Sequence, residues 1–202
     1  IEARYEGSGY GQFKTDVGEA VVEAVTPIQE RYRELRADEG DVAGALADVA
    51  AAEAMRETLG LGRDTRWHAV ACAHAMQAHL VGSDLAGARR RAASCADATA
   101  EVGALTLARA ELALHEGRHD DASVRLPAFD PAAPIPVGAP RLLRALRLRL
   151  ALLDATDPAA AAALRPRLLE AVAAMPGPWR DRARLRDCLA TPGQALGCPG
   201  QP

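Results

Sequence analysis

The residues best able to do chemistry cluster between positions 68 and 79. In WHAVACAHAMQAH, His68, Cys72 and His79 fall within about 40° of one another at the 100° step of a helix, and imidazole and thiolate can ligate a metal ion. His79 lies seven residues beyond Cys72, about 10 Å along the axis, so no single ion spans all three unless another helix contributes. The expectation is no metal site, only three residues of a helix face. His115 and His119 also have i, i+4 spacing, but Gly117 between them breaks the face that this spacing requires. Arg89-Arg90-Arg91 could touch phosphate, as could Arg141, Arg144 and Arg147; consecutive arginines splay around a helix, and both groups are read as RNA contacts or solvated faces, with solvent preferred. Gly7, Gly9 and Gly11 precede a helix start, where backbone amides can cradle phosphate. No strand leads into them as a nucleotide fingerprint requires, so a tight turn is expected instead. No serine–histidine–aspartate set and no pair of carboxylates stands out. No catalytic residue, cofactor or metal is expected within the chain.

The elements that would carry these residues are helical. Of 202 residues, 49% are apolar and 3% aromatic, and no stretch alternates polar and apolar for long. From Phe13 the apolar residues Phe13, Val17, Val21, Ala24, Ile28, Tyr32 and Leu35 form one stripe of a long helix, with Lys14, Glu19, Glu23, Glu30, Arg33 and Glu34 opposite and a kink expected at Pro27. Residues 66–126 read as two helix pairs, each with an alanine-rich first helix, a glycine turn (Gly82; Gly117), an acidic start (Asp84; Asp120) and a small residue in the second helix (Ala88; Ala122). Gly82 to Gly117 is 35 residues and Ala88 to Ala122 is 34, a period that resembles tetratricopeptide-type (TPR-like) repeats. A third pair is expected over 140–175, where Leu142, Leu143, Leu146, Leu150 and Leu153 share a face and Asp157-Pro158 opens the second helix. The fold class is therefore all-α: a long amphipathic helix plus helical hairpins, in a repeat-like solenoid or bundle. Residues 127–140, with Pro127, Pro131, Pro134, Pro136 and Pro140, form a loop, and 191–202 a disordered tail.

Charge and cysteine usage narrow the function classes. Residues 1–63 carry 7 basic and 13 acidic groups and the rest 17 and 14, so neither part has the basic excess of a dedicated nucleic-acid binder. Lys14 is the only lysine among 24 basic residues. No window approaches the roughly 20 apolar residues of a membrane span, so no membrane partner is expected. Cys72, Cys95, Cys188 and Cys198 include no CxxC pair; free thiols in a cytoplasmic protein are expected, with Cys198 exposed.

Periodicity alone ends at an amphipathic helix after a glycine turn. The run RYEGSGYGQFKTDVGEAVVEAVTPIQERYREL resembles the carboxy-terminal region of bacterial tryptophanyl-tRNA synthetases, in which Y-x-G-x-G-Y-G-x-F-K leads into a helix ending P-I-Q-E-R-Y. Tyr5, Gly7, Gly9, Tyr10, Gly11, Phe13, Lys14 and Pro27 to Tyr32 occupy the matching positions, and MRETLGLGR, from Met55 to Arg63, is similar to the way such enzymes finish. The resemblance covers residues 1–63. It implies a class I ligase that joins tryptophan to tRNA with ATP, works as a homodimer and uses these helices to hold the anticodon end of the tRNA. It makes Lys14, Arg31 and Arg33 the tRNA-contact candidates. The family's H-I-G-H and K-M-S-K-S motifs, whose cations stabilise transferring phosphates, have no counterpart here, and a longer reading frame before Ile1 is expected to hold them. Between Asp38 and Gly60 this chain is two or more turns shorter than the family. The expected organisation is 1–63 synthetase-like, 64–190 a TPR-like module able to take a protein partner, and 191–202 tail. The rival reading is an adaptor with no ligase role, and a frame read past a lost stop codon is the blandest account of residues 64–202.

Overall fold

A computed structural model describes residues 41–60, 62–63, 66–98, 103–127, 135, 140–174 and 182–198. Among them are eight α-helices and no strand: α1 (Val42–Thr58), α2 (Arg66–Val81), α3 (Leu85–Ser94), α4 (Gly103–His115), α5 (His119–Arg125), α6 (Pro140–Thr156), α7 (Pro158–Ala174) and α8 (Arg182–Ala190), then a 3-10 turn, Ala195–Gly197. The long helix from Phe13 to Leu35 lies outside the described residues. No helix among the described residues is long and apolar enough to cross a membrane.

The three expected pairs are α2/α3, α4/α5 and α6/α7. Their first helices stack side by side, α2 on α4 on α6, and each second helix flanks the stack. One core lies between the first pair and α4, around Cys72, Met76, Leu80, Ala88, Leu105 and Leu112. A second joins α4, α5 and α6 through Leu107, Leu114, Ala122, Leu126, Leu148 and Leu152. The third holds the expected leucine face of α6 against α7 and α8, with Leu150, Leu168, Val172 and Leu189 fully enclosed. Most of the packing of each pair is thus with its neighbours, as in a linear array.

The turn inside each pair sets the register. In the second, Gly117 takes φ +69°, the Arg118 amide donates to Ala113 O (2.9 Å) and the Gly117 amide to Leu114 O (3.0 Å). In the first, Ser83 takes φ +58°, the Asp84 amide donates to His79 O (2.8 Å) and the Ser83 amide to Leu80 O (3.0 Å). These are two Schellman ends, and the partner of Gly117 is Ser83 rather than Gly82, so the turns, like Ala88 and Ala122, are 34 residues apart. Serine in the left-handed region costs about 1–2 kcal/mol, partly offset by the freedom glycine gains when unfolded. Ser83→Gly is expected to stabilise the chain by about 0.5–1 kcal/mol, and Gly117→Ala to destabilise it by about 1 kcal/mol. Urea unfolding of the two variants checks the opposite signs.

Helix α1 extends the array toward the amino terminus, although it falls inside the stretch read above as synthetase-like. It packs along α2 through Ala45, Val49, Ala52, Ala71, Ala75 and Ala78. Its start, DVAGA, repeats the DLAGA of α3: Asp41 and Asp84 accept from the amides of Gly44 (2.9 Å) and Gly87 (2.8 Å), and Ala45 and Ala88 are fully buried. A Cβ at either glycine would meet the capping carboxylate at 2.2 or 2.1 Å, so a larger residue there requires the aspartate side chain to turn. Asp157 caps α7 in the same way, accepting from the Ala160 amide at 3.0 Å.

The carboxy-terminal stretch differs from the expected tail. Residues 191–198 fold back onto α6 and α8, where Ala195 and Cys198 are buried and Cys198 is disulfide-bonded to Cys188. The Gly193 amide donates to Asp154 Oδ2 at 3.0 Å, and Arg165 of α7 pairs with the same carboxylate while donating to Leu189 O. Residues 199–202 lie outside the described residues.

Candidate functional site: a buried histidine and cysteine cluster

Helix α2 turns His68 and Cys72 into the core one above the other, with His68 Nε2 3.6 Å from Cys72 Sγ. The third member comes from the next helix. Cys95, at the end of α3, is fully buried and bonded to Cys72, with Cα atoms 6.1 Å apart. The ligating atoms of His68, Cys72 and Cys95 all lie within 4.8 Å of one another. His79 plays no part; it sits at the far end of α2, with Nδ1 3.0 Å from the capping Asp84 Oδ2. The free-thiol expectation is thus corrected on both counts, since among the described residues all four cysteines are in disulfides. Spacing along α2 alone could not reveal Cys95, because its approach depends on the turn at Ser83.

His68 is 3% exposed. Its ring points Nε2 toward the sulfurs and toward Asp97 Oδ1, 3.9 Å away, while Nδ1 is 3.6 Å from Glu53 Oε1 of α1 and has no hydrogen-bond partner. Desolvation lowers its pKa below the usual 6.5, outweighing the nearby carboxylates with help from Arg56 and Arg91, so the imidazole is neutral near pH 7. A neutral imidazole beside two sulfurs and flanked by carboxylates is a donor set for a borderline-soft metal once the sulfurs are free.

The basic residues are mostly engaged within the fold. Lys14, Arg31 and Arg33 lie outside the described residues. Arg91 pairs with Glu53, Arg89 with Glu116, and Arg118 with Glu116 and Asp121. The reading of Arg144 and Arg147 as a solvent or RNA face is overturned. They are 5% and 7% exposed and grip Glu111 of α4, Arg144 Nη2 on Oε2 at 2.5 Å and Arg147 Nη2 on Oε1 at 2.6 Å. Arg144 also donates to Gln77 of α2 at 2.8 Å, and Arg147 to the carbonyls of Leu196 (3.3 Å) and Cys198 (3.0 Å). α6 is covered on both sides, by α4 and by α7, so Arg144 and Arg147 are interior as well; the side chain of Arg141 lies outside the described part. The visible signal was Glu111, a lone acid in the apolar run LTLARAELAL. His115 ends α4 and His119 begins α5, on either side of the Gly117 turn, and they share no face.

A stretch amounting to 33% of this chain is 42% identical to the tryptophan–tRNA ligase of Bacillus subtilis and covers 22% of that enzyme. The tryptophan–tRNA ligase of Listeria monocytogenes is 46% identical over 74 residues, 33% of this chain and 22% of the relative. That of Bacillus anthracis is 63% identical over 35 residues, 17% of this chain and 11% of the relative. The chain therefore spans about a fifth of the length of the curated relatives it matches over the longer stretches. The Bacillus subtilis match uses 76 aligned positions for 33% of a 202-residue chain, so the relative carries extra residues in this stretch. No protein-family model and no solved structure matches the chain. About a third of this chain is thus a segment similar to tryptophan–tRNA ligases.

Proposed function

We propose that this chain is the carboxy-terminal part of a tryptophan–tRNA ligase-type protein in the cytoplasm, in which residues 1–63 help dock the anticodon side of tRNA and the helix pairs form an attached TPR-like module. The observation that carries this reading is the ligase-like segment, whose identity reaches 63% over 35 residues. The Tyr5 to Tyr32 motif string and the finish at Met55 to Arg63 support placing that segment at residues 1–63 and reading it as the family's carboxy-terminal end. Lys14, Arg31 and Arg33 are the contacts proposed for tRNA phosphates, because the arginines of the helix pairs are largely taken up by internal carboxylates and carbonyls. ATP and tryptophan would be handled upstream of this chain, in a homodimeric parent.

The second reading, a protein-binding adaptor, is favoured by that same pairing, which offsets much of the basic charge of the helix pairs with carboxylates. A gel shift of the 202-residue chain with tRNA-Trp against an unrelated tRNA separates the two. On the docking reading tRNA-Trp is retained preferentially, and Lys14→Ala reduces the slope of log affinity against log salt by about 1. Equal binding of both tRNAs, or none, removes the docking role and leaves the adaptor. Deleting residues 64–202 from the parent then tests the module: unchanged aminoacylation separates it from the ligase reaction.

A further inference from the structure

We propose that the Cys72–Cys95 disulfide and a zinc ion are alternative occupants of one site, in which the reduced chain holds Zn2+ through Cys72, Cys95, His68 Nε2 and the carboxylate of Asp97. In tetrahedral zinc, with Zn–S about 2.3 Å and Zn–N about 2.0 Å, a sulfur and a nitrogen ligand stand about 3.5 Å apart. His68 Nε2 and Cys72 Sγ are already 3.6 Å apart. Two zinc-bound thiolates stand about 3.8 Å apart, nearly twice the length of a sulfur–sulfur bond, so bond and ion exclude each other. Asp97 follows Cys95 by two residues, and its side chain is 53% exposed, so it is able to swing onto an ion; its Oδ1 is 3.9 Å from Nε2. On the far side of the ring, Glu53 faces Nδ1 at 3.6 Å, where a carboxylate orients a metal-bound histidine. The unpartnered Nδ1 of a buried ring gains its hydrogen bond when Glu53 closes this gap.

The exchange balances with a dithiol reductant. Its two S–H groups become a disulfide, its two hydrogens end on Cys72 and Cys95, and Zn2+ then displaces two protons to solvent. Such a dithiol is available in the reducing compartment where structural disulfides are rare.

Cobalt(II), whose visible bands are intense when it is four-coordinate with thiolates, is the probe. The metal-free 202-residue chain is reduced with a phosphine and titrated with Co2+, in parallel with the oxidised chain. One equivalent is expected to bind the reduced chain, to be displaced by Zn2+, and to give no bands with the oxidised chain. Cys72→Ser should abolish the bands and Cys188→Ser should leave them. His68→Gln, and the surface change Asp97→Asn, which leaves the core intact, should each weaken binding about tenfold or more, at the lower end of effects known for groups around metal sites. The proposal is overturned if the reduced chain shows no bands, if Cys188→Ser rather than Cys72→Ser removes them, or if His68→Gln and Asp97→Asn both leave the affinity unchanged.

Discussion

Glu111→Gln is expected to lower the free energy of unfolding by about 3–5 kcal/mol, the loss typical when one partner of a buried ion pair is removed. The carboxylate sits between the guanidiniums of Arg144 and Arg147, all three residues 7% exposed or less. Neutralising it leaves two cations in the core facing a neutral amide. Desolvation, the largest single influence on its pKa, acts to raise it. The charges and hydrogen bonds of the two arginines overcome that and hold the carboxyl at about 2, against an ordinary 4.5. Because the folded-state pKa is the lower one, the stabilisation is complete above pH 4.5 and is lost as pH falls from there toward 2. Urea unfolding at pH 7 and in steps below pH 5 should show this decline in the parent chain and a weaker one in Glu111→Gln. A cost below 1 kcal/mol at pH 7 would mean that the triad is not closed as described. Replacing all three with apolar residues of similar volume is expected to be close to neutral, which separates the net worth of the triad from the damage of breaking it.

Cys95→Ser in the oxidised chain is expected to cost about 3 kcal/mol. The cross-link joins residues 23 apart, and closing a loop of that length removes about this much from the unfolded chain's freedom. Met76, Ala88 and Leu105 surround the site, so the new hydroxyl also enters apolar surroundings with His68 as its neighbour. Thermal unfolding of the variant and of the parent, each with and without a phosphine reductant, is the measurement. Reduction should lower the parent's midpoint substantially and that of Cys95→Ser much less, by the share of the Cys188–Cys198 bond alone. A parent chain indifferent to reduction would refute the cross-links.

The leucine face of α6, the Gly117 turn and the Asp157-Pro158 start could be read from residue types because each depends on contacts within a few positions. The spacing of 34 was visible from Ala88 to Ala122, but the turn position was not, since Ser83 occupies a conformation that serine seldom takes and Gly82 beside it is the natural suspect. Arg144 and Arg147 were misplaced for a different reason. A polar stripe opposite an apolar one marks solvent when a helix has one covered side, whereas α6 has two. The cysteine cluster was half legible: His68 and Cys72 share a helix face, but their partner arrives on a second helix through a long-range approach that periodicity does not encode. Helix α1 shows the same limit at the level of domains, for its DVAGA start matches α3 and its packing joins the pairs, across a boundary drawn at residue 63 from motif resemblance.

Arg147 has a reach that bears on how the molecule comes apart. One guanidinium spans the carboxylate on α4 and the backbone of the final turn, so peeling away residues 195–198 strips acceptors from a cation that has nowhere wet to go. Ends of chains ordinarily fray first and alone. Here the last turn is bound into the same opening event as the centre of the array, and its persistence reports on the integrity of helices far upstream in sequence.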